Sequence, residues 1–133
     1  MDAATKELVR RRAGDACEYC GLAQEDVPFA VFHVEHVIPK QHGGTDDPSN
    51  LALACHHCNY HKGPNLAGID PESREIVPLF HPRADPWHEH FEARGSVLLG
   101  RTPTGRATVR VLAMNTVDRI ELRAALLGED ESP

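Results

Sequence analysis

The stretch Phe29-Ala-Val-Phe-His33-Val-Glu35-His36-Val-Ile-Pro39-Lys-Gln-His42-Gly43-Gly44, followed by Asn50-Leu-Ala-Leu-Ala-Cys55-His-His-Cys58-Asn59-Tyr-His-Lys62-Gly63, decides how this chain is read. Phe29 to Ile38 is apolar and β-branched, which predicts a strand ended by Pro39. Gly43 and Gly44 open a polar loop that runs on through Asp46, Asp47 and Pro48. Leu51 to Ala54 predicts a short second strand, and Cys55 to about Lys62 a short helix stopped by Gly63-Pro64. The order is strand, loop, strand, helix. Side chains alternate along a strand, so His33 and Glu35 share one face and His36 points to the other.

Cys17-x-x-Cys20 and Cys55-x-x-Cys58 bracket this stretch. A two-residue gap lets both thiolates of a pair reach one ion, and two pairs complete a four-sulfur shell suited to structural zinc. The competing readings are two disulfides, which a reducing cytoplasm opposes, and unrelated buried thiols. A redox Cys-x-x-Cys leaves the other pair unexplained. Closed by four ligands, a zinc site of this kind holds the fold and does no chemistry. Chemistry therefore falls to the segment between the pairs. Glu35 on the strand and Asn59 on the helix are oxygen donors suited to Mg²⁺ or Mn²⁺. His36, beside Glu35, carries the side chain suited to base chemistry near neutrality. A hard divalent ion beside a histidine base is the equipment for phosphodiester hydrolysis.

These fragments, taken in order, resemble the HNH (ββα-metal, or His-Me finger) endonucleases with a four-cysteine zinc site, over about residues 14 to 63. The resemblance is carried by both cysteine pairs, His33-x-Glu35-His36 with Pro39, His42-Gly43-Gly44, Asn50-Leu51, and Cys58-Asn59 with Lys62-Gly63. It implies an α+β fold with a ββα-metal core and a zinc knuckle pair (Cys17, Cys20, Cys55 and Cys58). It implies His36 as general base and Asn50 as the central asparagine that ties the loop down and helps orient that base. Glu35 and Asn59 would hold the catalytic Mg²⁺ or Mn²⁺, with Asn59 in the place of the family's last histidine, an H-N-N variant. Two departures are visible: Glu35 stands where Asp or His is frequent, and Gly63 where some members carry another ligand. An ion held so sparsely keeps several waters, as Mg²⁺ readily does. His42, Lys62 and Arg106 are the candidate phosphate contacts.

The chain of 133 residues is one domain's worth with an appended lobe. Hydrophobic residues at 41% and charged residues at 26% argue for a globular rather than a disordered protein. No apolar run is long enough to span a bilayer. Arg11-Arg12 is followed by Gly14, Asp15 and Glu18 instead of an apolar stretch, so no leader is expected and the cytoplasm is the expected compartment. The net charge of −6 opposes a general nucleic-acid coat, yet residues 94–128 carry six arginines against two acids.

The expected division is 1–63 for an N-terminal helix, knuckles and core, 64–128 for a small α+β extension, and 129–133 for an acidic disordered tail. Ala3 to Arg12 predicts a helix with Leu8 and Val9 inward and its arginines partly solvated. Ile69 to Val77 predicts a hairpin, Trp87 and Phe91 core positions, and Ser96 to Arg101 a strand. Helices are expected near 104–113 and 116–127, the second capped by Asn115 with an apolar face of Val117, Ile120, Leu122, Leu126 and Leu127. Leu79-Phe-His-Pro-Arg83, Trp87 and Gly105-Arg-Ala-Thr108 look like an extension found after such cores in many small bacterial HNH proteins. The expected function is metal-dependent hydrolysis of DNA phosphodiesters, nicking as a monomer and cutting both strands as a homodimer. The alternative is a non-catalytic zinc-stabilised nucleic-acid-binding module, or one that acts only with a protein partner.

Overall fold

A computed structural model describes residues 1–128; the acidic tail expected to be disordered, 129–133, lies outside the described residues. The fold is α+β, with helices and three two-stranded antiparallel sheets among the described residues. The chain divides into two compact units. Among the described residues, one holds 1–66 and 81–85, the other 67–80 and 86–128. Residues 81–85 thus pack with the first unit, although they fall in the stretch assigned to the extension.

The first unit opens with α1, Ala3–Arg12, whose N-cap Asp2 accepts a hydrogen bond from the Thr5 amide at 2.8 Å. Val9 is fully buried while Leu8 is 45% exposed, because neighbours on a helix point about 100° apart and one narrow stripe faces inward. The arginines are partly solvated as expected, and two of them also tie the helix down. Arg10 donates to the Phe32 carbonyl (2.9 Å), and Arg12 to the carbonyls of Pro48 (3.0 Å) and Leu51 (2.7 Å). Strand β1 is His33–His36 and β2 is Leu51–Ala54; they pair antiparallel with His33 opposite Ala54 and His36 opposite Leu51. β1 is shorter than the predicted Phe29 to Ile38. The Gln24 side chain accepts from the Phe32 amide (2.8 Å) and donates to the Ala30 carbonyl (2.7 Å), which claims that backbone for a loop and leaves Phe29 exposed. Every residue of β2 is buried, and α2, His56–Lys62, follows with Cys55 as its N-cap.

In the second unit, β3 (Ala67–Ile69) and β4 (Ile76–Pro78) form one hairpin, and β5 (Phe91–Arg94) and β6 (Val97–Gly100) another. Helix α3 is the single turn Trp87–His90, α4 is Pro103–Val111 and α5 is Val117–Leu127. The core is Phe80, Phe91, Leu98, Ala107, Leu112 and Met114. An added Cβ on Gly105 would lie 2.0 Å from the His90 carbonyl oxygen and 3.3 Å from the Gly100 Cα, so only glycine lets α4 approach this closely. One expectation is corrected. Asn115 does not cap α5; Thr116 occupies that position, and the Asn115 amide brackets Leu98 instead, accepting from its N–H (3.0 Å) and donating to its carbonyl (2.7 Å). The apolar face of α5 is not buried, since Val117, Leu126 and Leu127 are exposed. The strand expected at Ser96 to Arg101 is present as β6, and β5 pairs with it. Among the described residues no helix is long and apolar enough to cross a membrane.

Candidate active site and metal cluster

All four cysteines are unbridged and buried, and their sulfurs lie within 4.8 Å of one another. The Cys20 and Cys55 sulfurs are 3.8 Å apart, far too long for a disulfide. With Zn–S bonds of ~2.3 Å, the edge of a ZnS₄ tetrahedron is about 3.8 Å, so the spacing fits zinc. In each pair the second cysteine's amide donates to the first cysteine's sulfur at 3.4 Å, which stabilises the thiolate that a metal requires. Among the described residues this is the one grouping of three or more His, Cys, Asp or Glu ligand atoms close enough to share an ion.

The loop between β1 and β2 is fastened by Asn50. Its Oδ1 accepts from the Ile38 amide (2.8 Å), and its Nδ2 donates to the carbonyls of Ile38 (3.0 Å) and Thr45 (2.9 Å). Gly44 passes so close that a Cβ would lie 1.6 Å from the Ile38 carbonyl oxygen, which explains the second glycine of the pair. The folded loop returns Asp46 to the end of β1, where its Oδ1 lies 2.7 Å from His36 Nε2. Lys40 (3.4 Å) and the N-terminal amine (3.6 Å) also approach Asp46. The His36 bond, with help from these cations, holds the Asp46 carboxyl at about 2. An ionised carboxylate only accepts, so His36 Nε2 is the donor in this bond and Nδ1 is the ring nitrogen turned away from Asp46. Asp46 is the residue that sequence reasoning missed. Its only signal was an acidic pair, Asp46-Asp47, read as loop.

Glu35 is 8% exposed and faces α2. Its Oε1 accepts from the Tyr19 hydroxyl, and its Oε2 lies 3.4 Å from Lys62 Nζ. Burial raises the Glu35 carboxyl, while Lys62 and Tyr19 oppose that shift. Burial likewise lifts the Tyr19 phenol well above its ordinary value. Lys62 is 1% exposed and also donates to the carbonyls of Val37 (2.9 Å) and His36 (3.4 Å). The expectation of Lys62 as a phosphate contact is therefore corrected: its ammonium is spent inside, between α2 and β1. Asn59 is half-buried three residues before Lys62 on α2. A carboxylate and an amide oxygen are hard donors that fit a divalent ion of the magnesium class.

Two further candidates behave differently. Arg106 forks onto Asp70 (2.8 and 3.0 Å) and meets Glu72 at 3.1 Å, so its charge is already matched and the phosphate expectation is corrected. His42 is exposed on a single 3₁₀ turn, Lys40–His42. His33 points at the start of α2, with its Nε2 3.3 Å from His56 Nδ1.

Comparison with known proteins agrees with this geometry. A curated relative, the Septu protein PtuB of Bacillus thuringiensis, is 28% identical over 118 residues, covering 87% of this chain and 43% of the relative. The chain thus spans less than half the length of that protein. No solved structure matches it. The family model described as HNH endonuclease matches residues 17–65, the segment that contains both cysteine pairs, the β1–β2 hairpin and α2. Over residues 17–65, then, this chain is similar to the HNH endonuclease family.

Proposed function

We propose that the chain is a metal-dependent endonuclease that hydrolyses DNA phosphodiesters one strand at a time, leaving 3′-hydroxyl and 5′-phosphate ends. The hydrogen bond between His36 and Asp46 carries this reading. With its Nε2 proton held by Asp46, His36 offers Nδ1 as the base that takes a proton from the attacking water. Asn50 holds the loop that carries Asp46 and so keeps the imidazole oriented. Tyr19 and Lys62 fix the Glu35 carboxylate toward α2. Glu35 and Asn59 would hold Mg²⁺ or Mn²⁺, which would supply positive charge beside the phosphate. Structural zinc on the four cysteines keeps α2 against the hairpin. One such site acts on one strand, so a monomer nicks and a homodimer is needed for paired breaks. Unbridged thiols suit a cytoplasmic protein. A net charge of −6 leaves DNA loading to local arginines or to a protein partner.

The test is supercoiled-plasmid nicking by zinc-loaded protein in Mg²⁺, Mn²⁺ and EDTA. His36→Ala should slow nicking by about 10²–10⁴-fold with unchanged zinc content. Asp46→Asn should lose about 10- to 100-fold, because the imidazole is then no longer held to one tautomer. Intact plasmid from folded, zinc-loaded parent protein would leave a binding or partner-dependent module.

A further inference from the structure

A cavity in the second unit is unused by this chemistry. It is an open depression of about 410 Å³ lined by Trp87, His88, Phe91, Glu92, Ala93 and Arg101, a volume within the range of small-ligand sites. Phe91 is fully buried and Trp87 half-buried, their rings 5.1 Å apart and inclined by 34°. Phe91 is therefore the floor, and Trp87 is the aromatic surface a ligand meets. His88 stands edge-on to Trp87 at 5.0 Å. Arg101 is exposed and donates from Nη1 to the His88 carbonyl at 3.1 Å, which fixes the guanidinium at the rim with donors to spare. Glu92, on the wall, is paired with Arg94 at 3.3 Å through one oxygen.

An aromatic surface, a fixed guanidinium and a carboxylate acceptor match a nucleotide better than an aliphatic side chain. Every base has a face that stacks on an aromatic ring, exocyclic amines donate to carboxylates, and phosphates seek arginine. We propose that this cavity takes one unpaired nucleobase of a single-stranded nucleic acid, stacked on Trp87 with the adjoining phosphate on Arg101. The choice of nucleic acid over protein rests on the nuclease reading above. The ligand class is then a strand end, flap or unpaired stretch rather than intact duplex alone.

Trp87 is the sole tryptophan, so its emission reports this cavity. Zinc-loaded full chain, without added Mg²⁺ or Mn²⁺, is titrated with oligo-dA and oligo-dT of about eight nucleotides and with the corresponding duplex. Saturable quenching by the single strands, stronger than by duplex, is expected. Arg101→Gln should weaken binding and lower the slope of log K against log salt by about 0.7, the loss of one phosphate contact. Trp87→Leu, read by anisotropy of a labelled strand, should bind about 5- to 100-fold more weakly; if it does not fold, the Arg101 variant still decides. No emission change with any oligonucleotide overturns the proposal. A change with acetyl-leucine amide but none with oligonucleotides also overturns it and assigns the cavity to a protein side chain. Nicking without quenching removes the cavity and leaves the nuclease, whereas quenching without nicking does the reverse.

Discussion

Both units of the chain bury apolar side chains, and they differ in what shares the interior with them. In the first, much of the interior is polar or metal-seeking: four cysteines, the Tyr19–Glu35–Lys62 cluster, and Asn50 stitched to backbone. Even its helix α1 is attached by arginines to carbonyl oxygens. In the second, Phe80, Phe91, Leu98, Leu112 and Met114 make an apolar core, and the buried carboxylate Asp70 is matched by Arg106. Strands of four residues cannot bury enough apolar surface to hold a hairpin alone. Each unit adds support to its short hairpins: the four cysteines and directed hydrogen bonds in the first, and the close packing of α4 in the second. The same directed contacts hold Glu35 and His36, so the residues of the proposed chemistry sit in the unit whose interior is the more polar.

The strongest way to break this contrast is to remove the metal. Structural zinc in small domains contributes about 10–16 kcal/mol of apparent binding energy at pH 7. Cys58→Ser, or a chelator, should abolish zinc binding and unfold the first unit, read by metal content and by loss of the Tyr19 signal in near-ultraviolet dichroism. Trp87 emission, from the second unit, should change little at the same chelator concentration. If zinc loss removed both signals together, the chain would be a single cooperative unit and the contrast would fail.

In the second unit the largest polar effect should come from Asp70. Its carboxyl is held well below the ordinary 3.8, first by the Arg106 fork and further by the amides of Glu72 and Ser73. Because the folded value is lowered, the stabilisation is fully present above the unfolded value and is lost as pH falls through the folded one. Asp70→Asn should lower the Tm reported by Trp87 by roughly 10 °C at pH 7. The gap from the parent should narrow as the pH is taken below 3.8. An equal gap at both ends of that range would mean that the Asp70 charge is not what holds the turn.

What could be read from the sequence follows the range of the forces involved. Helices α1 and α2 and strand β2 were legible because caps, proline and glycine act within a few residues. Cysteine spacing exposed the metal cluster for the same reason. β1 was overextended because its true limit is imposed by Gln24, eight residues upstream of the Phe32 amide it accepts from. Phe91–Arg94 carries no strand pattern of its own and becomes one only by pairing with β6. In the site, Lys62 reads as a surface cation at a helix end, and only tertiary contact with Glu35 and the Val37 carbonyl buries it. Asp46 meets His36 across ten residues of loop, a contact no periodicity encodes.

The smallest effect tests the polar interior of the first unit at its most delicate point, Glu35. Burial raises this carboxyl above the ordinary 4.5 despite Lys62 and Tyr19. A raised folded value means that the native state binds the proton more tightly than the unfolded chain does. Stability is then greatest below 4.5 and declines as pH rises through the folded value. Glu35→Gln removes that decline. The variant should gain on the parent, by a few degrees of Tm at most, as pH rises from about 5, a range in which zinc-bound thiolates persist. If the gap moves the other way, Lys62 and Tyr19 outweigh burial and hold Glu35 ionised throughout. The sign of the slope therefore decides whether the strand carboxylate is charged and ready for a divalent ion, or must first give up a proton to receive one.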